Sequence, residues 1–241
     1  MKKIYFLALT CAVLFGVASC SVDDAKSQQF MSGYFTITGS YPNYKLIHDY
    51  GTIVYPSAEE VNEITKGAGF GNHKRVYFDV YFYEDDITTT NNVSVVRNPD
   101  LKNGEYLTES TLITKEEADK ANITVSDSIF DIKAIENCWM AYGYLNTIFT
   151  ANYSVDSLFN IILPDAKLCV TNTGDNAVTL TMLYNRHTKK DAISDLGSFT
   201  YSFDISKLNV PGNDSVAVTF ETQGLKAETI KVPRTIFNYA Q

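Results

Sequence analysis

The chain has 241 residues and a formal net charge of −8, with 45% hydrophobic and 20% charged residues. An acidic balance of this kind is a poor match for phosphate-rich partners, so binding to nucleic acid or to anionic lipid headgroups is set aside. Sixteen tyrosines and fourteen phenylalanines accompany a single tryptophan, a composition that suits half-buried pleated surfaces.

At the N-terminus, Met1-Lys2-Lys3 is a short positive region, residues 4–17 are an apolar run of 14, and the small residues Ala18 and Ser19 lead into Cys20. The run is shorter than the roughly 20 residues that a membrane-spanning helix needs. Its order resembles a bacterial lipobox, which implies cleavage before Cys20, diacylation of the Cys20 thiol and acylation of the new amino terminus. One acyl chain holds a protein to a bilayer only marginally, whereas three make a lasting anchor. Asp23-Asp24 is similar to the export signal of Bacteroides-like bacteria, which implies a lipid-anchored protein of the outer membrane facing the exterior. Loss of residues 1–19, which carry Lys2, Lys3 and no acid, leaves 222 residues at a net charge of −10. That length fits two modest domains better than one, preceded by a polar, flexible tether at 20–31.

Short strands separated by turn residues follow. Residues 33–38 alternate, Tyr41-Pro42-Asn43 turns the chain, and 44–48 continue the pattern until Asp49-Tyr50-Gly51 breaks it. Residues 52–55 form a strand stopped by Pro56. The clearest strand spans 74–84, with Val76, Phe78, Val80 and Phe82 on one face and Tyr77, Asp79, Tyr81 and Tyr83 on the other. It is expected to hairpin through 85–92 into 93–97, with a further strand at 105–113. This series of mostly short strands, one of them long, predicts a small Greek-key barrel of the OB type over 32–115.

Thr114 and Glu117 have capping-box spacing, so 116–130 is read as a linker that opens with a short helix. Further strands are expected at 138–151, 157–163, 167–171, 177–186, 197–204, 215–222 and 228–232. They predict an immunoglobulin-like β-sandwich over 131–241, making the whole an all-β chain. Trp139 is expected in the sandwich core. Cys138 and Cys169 could form a disulfide outside the cytoplasm or be two small hydrophobes in facing strands.

Several short stretches together resemble the NigD-like lipoproteins of Bacteroidetes. They are Cys20 with Asp23-Asp24, Asp49-Tyr50-Gly51-Thr52-Ile53-Val54-Tyr55-Pro56, and Lys74-Arg75-Val76. In the second half they are Trp139 with Gly143-Tyr144-Leu145-Asn146, and the strand that ends in Asp204-Ile205-Ser206-Lys207-Leu208. Asn72-His73 depart from the tighter turn expected before Lys74. The resemblance implies an N-terminal OB-like domain followed by a C-terminal β-sandwich. It brings no catalytic residues, and the family takes its name from a bacteriocin-associated gene cluster for which an immunity role was proposed.

The histidines His48, His73 and His187 lack the spacing of a metal site, and no Gly-x-Ser-x-Gly or Ser-x-x-Lys motif offers a nucleophile. Glu84-Asp85-Asp86 suits a solvated hairpin end better than a pair of glycosidase acids. The expectation is a protein that is not an enzyme and needs no cofactor. The outer face of the long strand, Tyr77, Asp79, Tyr81 and Tyr83, is the candidate ligand face, with packing on the sandwich as its competing role. Asp127-Ser128-Ile129, Asp156-Ser157-Leu158 and Asp214-Ser215-Val216 resemble the O-glycosylation sites of exported Bacteroides proteins, at Ser128, Ser157 and Ser215. The leading expectation is a lipid-anchored cell-envelope protein that binds a macromolecule as an immunity or surface-assembly factor. The alternative is a carbohydrate-binding accessory using the tyrosine face.

Overall fold

The computed structural model describes residues 27–120, 131–186, 193–222, 225 and 229–238. The N-terminal half contains β1 (Gln28–Ser40), β2 (Asn43–His48), β3 (Ile53–Tyr55), α1 (Ala58–Thr65), β4 (Arg75–Tyr83), β5 (Ile87–Thr90), β6 (Val93–Arg97) and β7 (Asp100–Tyr106). β1 pairs antiparallel with β2 and β4, β2 with β3, and β5 with β6, while β3 runs parallel to β6. β4 and β5 are consecutive, separated by a 3-10 turn at Glu84–Asp86. The sheet therefore nearly closes on itself through one bent strand, which is the circuit of an OB barrel. β7 adds to the outer edge of β4.

Alternation in β4 sets the inside of this barrel. Val76, Phe78, Val80 and Phe82 are at most 9% exposed and pack with Phe35, Leu46, Val54 and Val96. α1 closes the end between β3 and β4. Pro56 stops β3, the Ser57 hydroxyl accepts from Glu60 N–H at 3.1 Å, and Lys66 ends the helix in the left-handed region at φ 52°. Val61 is buried in the barrel, and the Glu60 carboxylate accepts from Leu101 N–H at 2.6 Å, which ties α1 to β7.

Three expectations change here. Residues 28–31, assigned to the tether, are already strand because they pair with β4 from Tyr83 to Val80. The 85–92 loop contains β5, whose four residues complete the barrel. The segment 105–113, expected as one strand, divides at Leu107 between β7 and β8 (Thr108–Thr114).

After β8 come α2 (Lys115–Lys120), β9 (Ile132–Ala141), β10 (Tyr144–Val155), β11 (Ile161–Ile162), β12 (Asp165–Gly174), β13 (Ala177–Asn185), β14 (Ile193–Asp204), β15 (Val216–Thr222) and β16 (Thr229–Val232). The strand order is β11-β10-β14-β8-β12-β13-β15-β16, with β9 also on β10. β8 works twice. Its residues 108–111 run parallel to β14 and its residues 112–114 parallel to β12, so it carries the chain from one layer to the other. Leu145, Phe149 and Phe203 from the first layer meet Leu168, Leu180, Val218 and Phe220 from the second in one core. The chain is thus all-β, a barrel-like sheet followed by a second, folded-over sheet.

The stretch expected as one strand at 138–151 is a hairpin. Tyr142 and Gly143 both have positive φ, 48° and 83°, and Ala141 pairs directly with Tyr144, which is a two-residue type I′ connection. Residues 157–163, also expected as a strand, are mostly loop around the two-residue β11. Cys138 and Cys169 are not bonded to each other. Trp139 is not in the core but half-buried where the two sheets meet.

Candidate functional site

Arg75 opens β4 and is fully buried. Its guanidinium donates to both Asp49 carboxylate oxygens at 2.7 Å, to Thr36 Oγ1 at 2.7 Å, and to Asn146 Oδ1 of β10 at 3.0 Å. From the second sheet, Trp139 Nε1–H donates to Asp49 Oδ2 at 2.7 Å and Ser202 Oγ–H to Asn146 Oδ1 at 2.8 Å. The guanidinium carbon lies 5.4 Å from the Tyr144 ring centre. Glu109 of β8 accepts from the main-chain N–H groups of Lys74 and Arg75. A charge removed from water is tolerated when its donors are met, and these contacts engage both Nη groups with partners from both sheets, while Arg75 Nε has none among the described residues. The barrel and the second sheet are thereby fixed in one relative orientation.

Burial raises the Tyr144 phenol to about 12, with Asp204 and Glu109 adding to the effect. Burial lowers the pKa of His48, beside Asp49, below its ordinary value.

Away from this node a cleft of about 420 Å³ opens between β1, β4 and β7 on one side and β14 on the other. Tyr34, Tyr77, Tyr106, Phe199 and Leu163 supply its apolar walls and Glu105 its charge. The Tyr34 and Tyr77 rings meet edge to face at 5.4 Å and 68°, and Tyr34 also lies 5.1 Å from Trp139. Burial, foremost, raises the Tyr34 phenol above its usual pKa, and the Glu105 and Asp49 charges contribute.

The structure divides the tyrosine face. Tyr77 lines the cleft, and its hydroxyl donates to Asp79 Oδ1 at 3.3 Å. Asp79 is further engaged by Asn103 Nδ2 at 2.5 Å. Tyr81 lies between the Phe30 ring at 4.9 Å and the Lys102 ammonium at 5.3 Å, and Tyr83 is exposed at the strand end. The four residues thus share a face but not a pocket. Phe199, Leu163 and Glu105 were missed as site residues because they come from separate strands and a loop. The one sequence signal for Tyr34 was its place in the alternation of 33–38. Cys20, Asp23, Asp24 and Ser128 lie outside the described residues. Ser157 and Ser215 are exposed.

Fold and site together define a two-sheet, all-β protein with a preformed cleft beside a buried ionic clamp. No family model matches the chain, and no curated protein matches it. Solved structures do. A candidate toxin-related protein from Parabacteroides distasonis is 15% identical with a TM-score of 0.55, covering 86% of this chain and 96% of its own. A candidate lipoprotein from Bacteroides fragilis is 11% identical at 0.50, covering 84% and 95%. A NigD-like immunity protein from Bacteroides caccae is 13% identical at 0.49, covering 85% and 92%. The first two likenesses establish a shared fold over nearly the whole of each chain.

Proposed function

We propose that this chain is a non-enzymatic, lipid-anchored protein of the outer membrane that faces the exterior and binds another macromolecule, acting in immunity or surface assembly. The observation that carries the reading is the cleft. It is preformed, walled by aromatic rings, and held open by a clamp that fixes both of its sides. Such concave surfaces with a few polar groups are the usual seats of ligands. A candidate lipoprotein among the structural neighbours supports the address, as does the lipobox at Cys20.

Three measurements test the reading. Metabolic labelling with an alkyne fatty acid marks the wild type and not Cys20→Ala, and a labelled variant overturns the anchor. Asp23→Ala with Asp24→Ala lowers protease accessibility on intact cells, and unchanged accessibility overturns the outward address. For binding, a photoreactive residue in place of Leu163 in the cleft forms adducts on intact cells, and one in place of Glu59 on the outer side of α1 does not. Equal adducts from both positions, or none from 163, reject the cleft as the binding site.

A further inference from the structure

Among the described residues, the lining of the cleft has one charge and no cation. Glu105 makes no hydrogen bond or ion pair among the described residues, and no lysine or arginine lines the cavity. A second carboxylate stands at the rim, where Ser198 Oγ–H points to Glu136 at 3.4 Å. The rings set at 68° make a corner and not a flat platform. A saturated sugar ring stacks best on a platform, whereas a corner of ring faces beside a carboxylate suits a cation.

The rim continues into an apolar shelf. Leu158, Phe159, Ile161 and Leu163 are 57–79% exposed over six positions, more than scattered surface hydrophobes. The shelf is braced. The Asp156 carboxylate accepts from Leu158 N–H and Asn160 N–H, each at 2.9 Å, and Phe159 N–H donates to the Asp156 carbonyl at 3.0 Å. Phe159 is held at φ 64°, a conformation that disfavours a bulky side chain. The loop thus presents these side chains in a set arrangement.

We propose that the cleft binds an arginine or lysine side chain of a partner polypeptide, with that residue's apolar neighbours lying on the 158–163 shelf. The basic head meets Glu105, and its stem lies along Tyr34, Tyr77 and Phe199. A cavity of about 420 Å³ exceeds one such side chain, which leaves room for a neighbour beside Leu163. The net charge of −8 draws a basic segment toward the surface. This inference rests on the reading of the cleft as the binding site.

Trp139 is the only tryptophan and touches Tyr34, so its emission reports occupancy. Full-length protein in detergent is titrated with acetyl-Leu-Arg-Leu-amide, with acetyl-Leu-Gln-Leu-amide and with cellohexaose. The arginine peptide gives a saturable change, the glutamine peptide binds about tenfold more weakly or less, and Glu105→Gln weakens the arginine peptide by about tenfold. The Glu105 side chain is exposed and makes no hydrogen bond or ion pair among the described residues, so the variant keeps the wild-type unfolding curve, which is measured alongside. Equal binding of the two peptides, indifference to Glu105→Gln, or a response to cellohexaose alone overturns the inference. If residue 163 forms adducts on cells while any of these is seen, the binding site stands and only its basic selectivity falls.

Discussion

Arg75 shows how much one side chain can carry. Removing one partner of a fully buried ion pair strands the other, which costs about 3–5 kcal/mol, while replacing both with apolar groups of similar size costs far less. Arg75→Ala is expected to lose about that amount in chemical denaturation, and Arg75→Met with Asp49→Leu to lose less than either single change. Equal losses for single and double variants would contradict the pairing. The neighbouring His48 gives a pH signature. Its folded pKa lies below 6.5 because burial disfavours the imidazolium. The unfolded chain therefore takes up a proton at a pH where the folded state does not. Its contribution is complete above the unfolded value of 6.5 and is lost as pH falls through the folded one. Denaturation midpoints at pH 7.5 and 5.5 should fall for the wild type and fall less for His48→Gln. In the sequence, Lys74-Arg75-Val76 marked the start of a strand and one of the stretches that carry the family resemblance, with no sign of an ion pair. The clamp was not legible because its members, at 36, 49, 75, 139 and 146, meet only when the two sheets dock.

Strands were legible where their period is two and opaque where the chain changes partner without changing pattern. β4 is the clear case. Phe78 is 2% exposed, so Phe78→Ala should cost about 3–5 kcal/mol through lost burial and a cavity. Tyr81→Ala, on the outer face, should cost clearly less in the same thermal melts, and equal losses would undo the alternation. β8 is the opaque case. Nothing in 105–113 tells that β7 ends at Tyr106 and that the next strand joins another sheet. Turns carry a usable code, written more plainly at some positions than at others. Asn91 and Asn92 connect β5 and β6 with φ 52° and 62°, and asparagine tolerates that region. Asn92→Val should cost about 1–2 kcal/mol, and Asn92→Gly should be neutral or slightly stabilising. A tolerated valine would rule out the type I′ geometry. Tyr142-Gly143 is the same device, hidden by a tyrosine where asparagine is usual.

For the whole molecule, the clamp predicts that the two sheets melt together. Scanning calorimetry of the wild type should show one transition. Trp139→Ala removes both the hydrogen bond to Asp49 and the ring contact with Tyr34, and should broaden or split it. A variant that keeps a single, equally sharp transition would show that docking does not depend on Trp139. The sequence placed this tryptophan in a core, since a lone Trp in a sandwich strand most often packs inside. The half-buried position it takes follows from an acceptor, Asp49, ninety residues earlier in the chain.

β8 also sets an order in time. All the strands of the barrel lie within residues 28–106, so the barrel can close once that length has left a ribosome or a translocation pore. β8 follows after Leu107 alone, yet its partners are β12 and β14, which end at Gly174 and Asp204. It must wait, its edges unpaired, while the chain from Thr114 to Asp204 arrives, and parallel pairing over such separations is intrinsically slow. The topology therefore predicts maturation in two stages, an early barrel and a late second sheet. The interval between them is when this chain is most exposed to proteases, to aggregation and to the chaperones that guard against both.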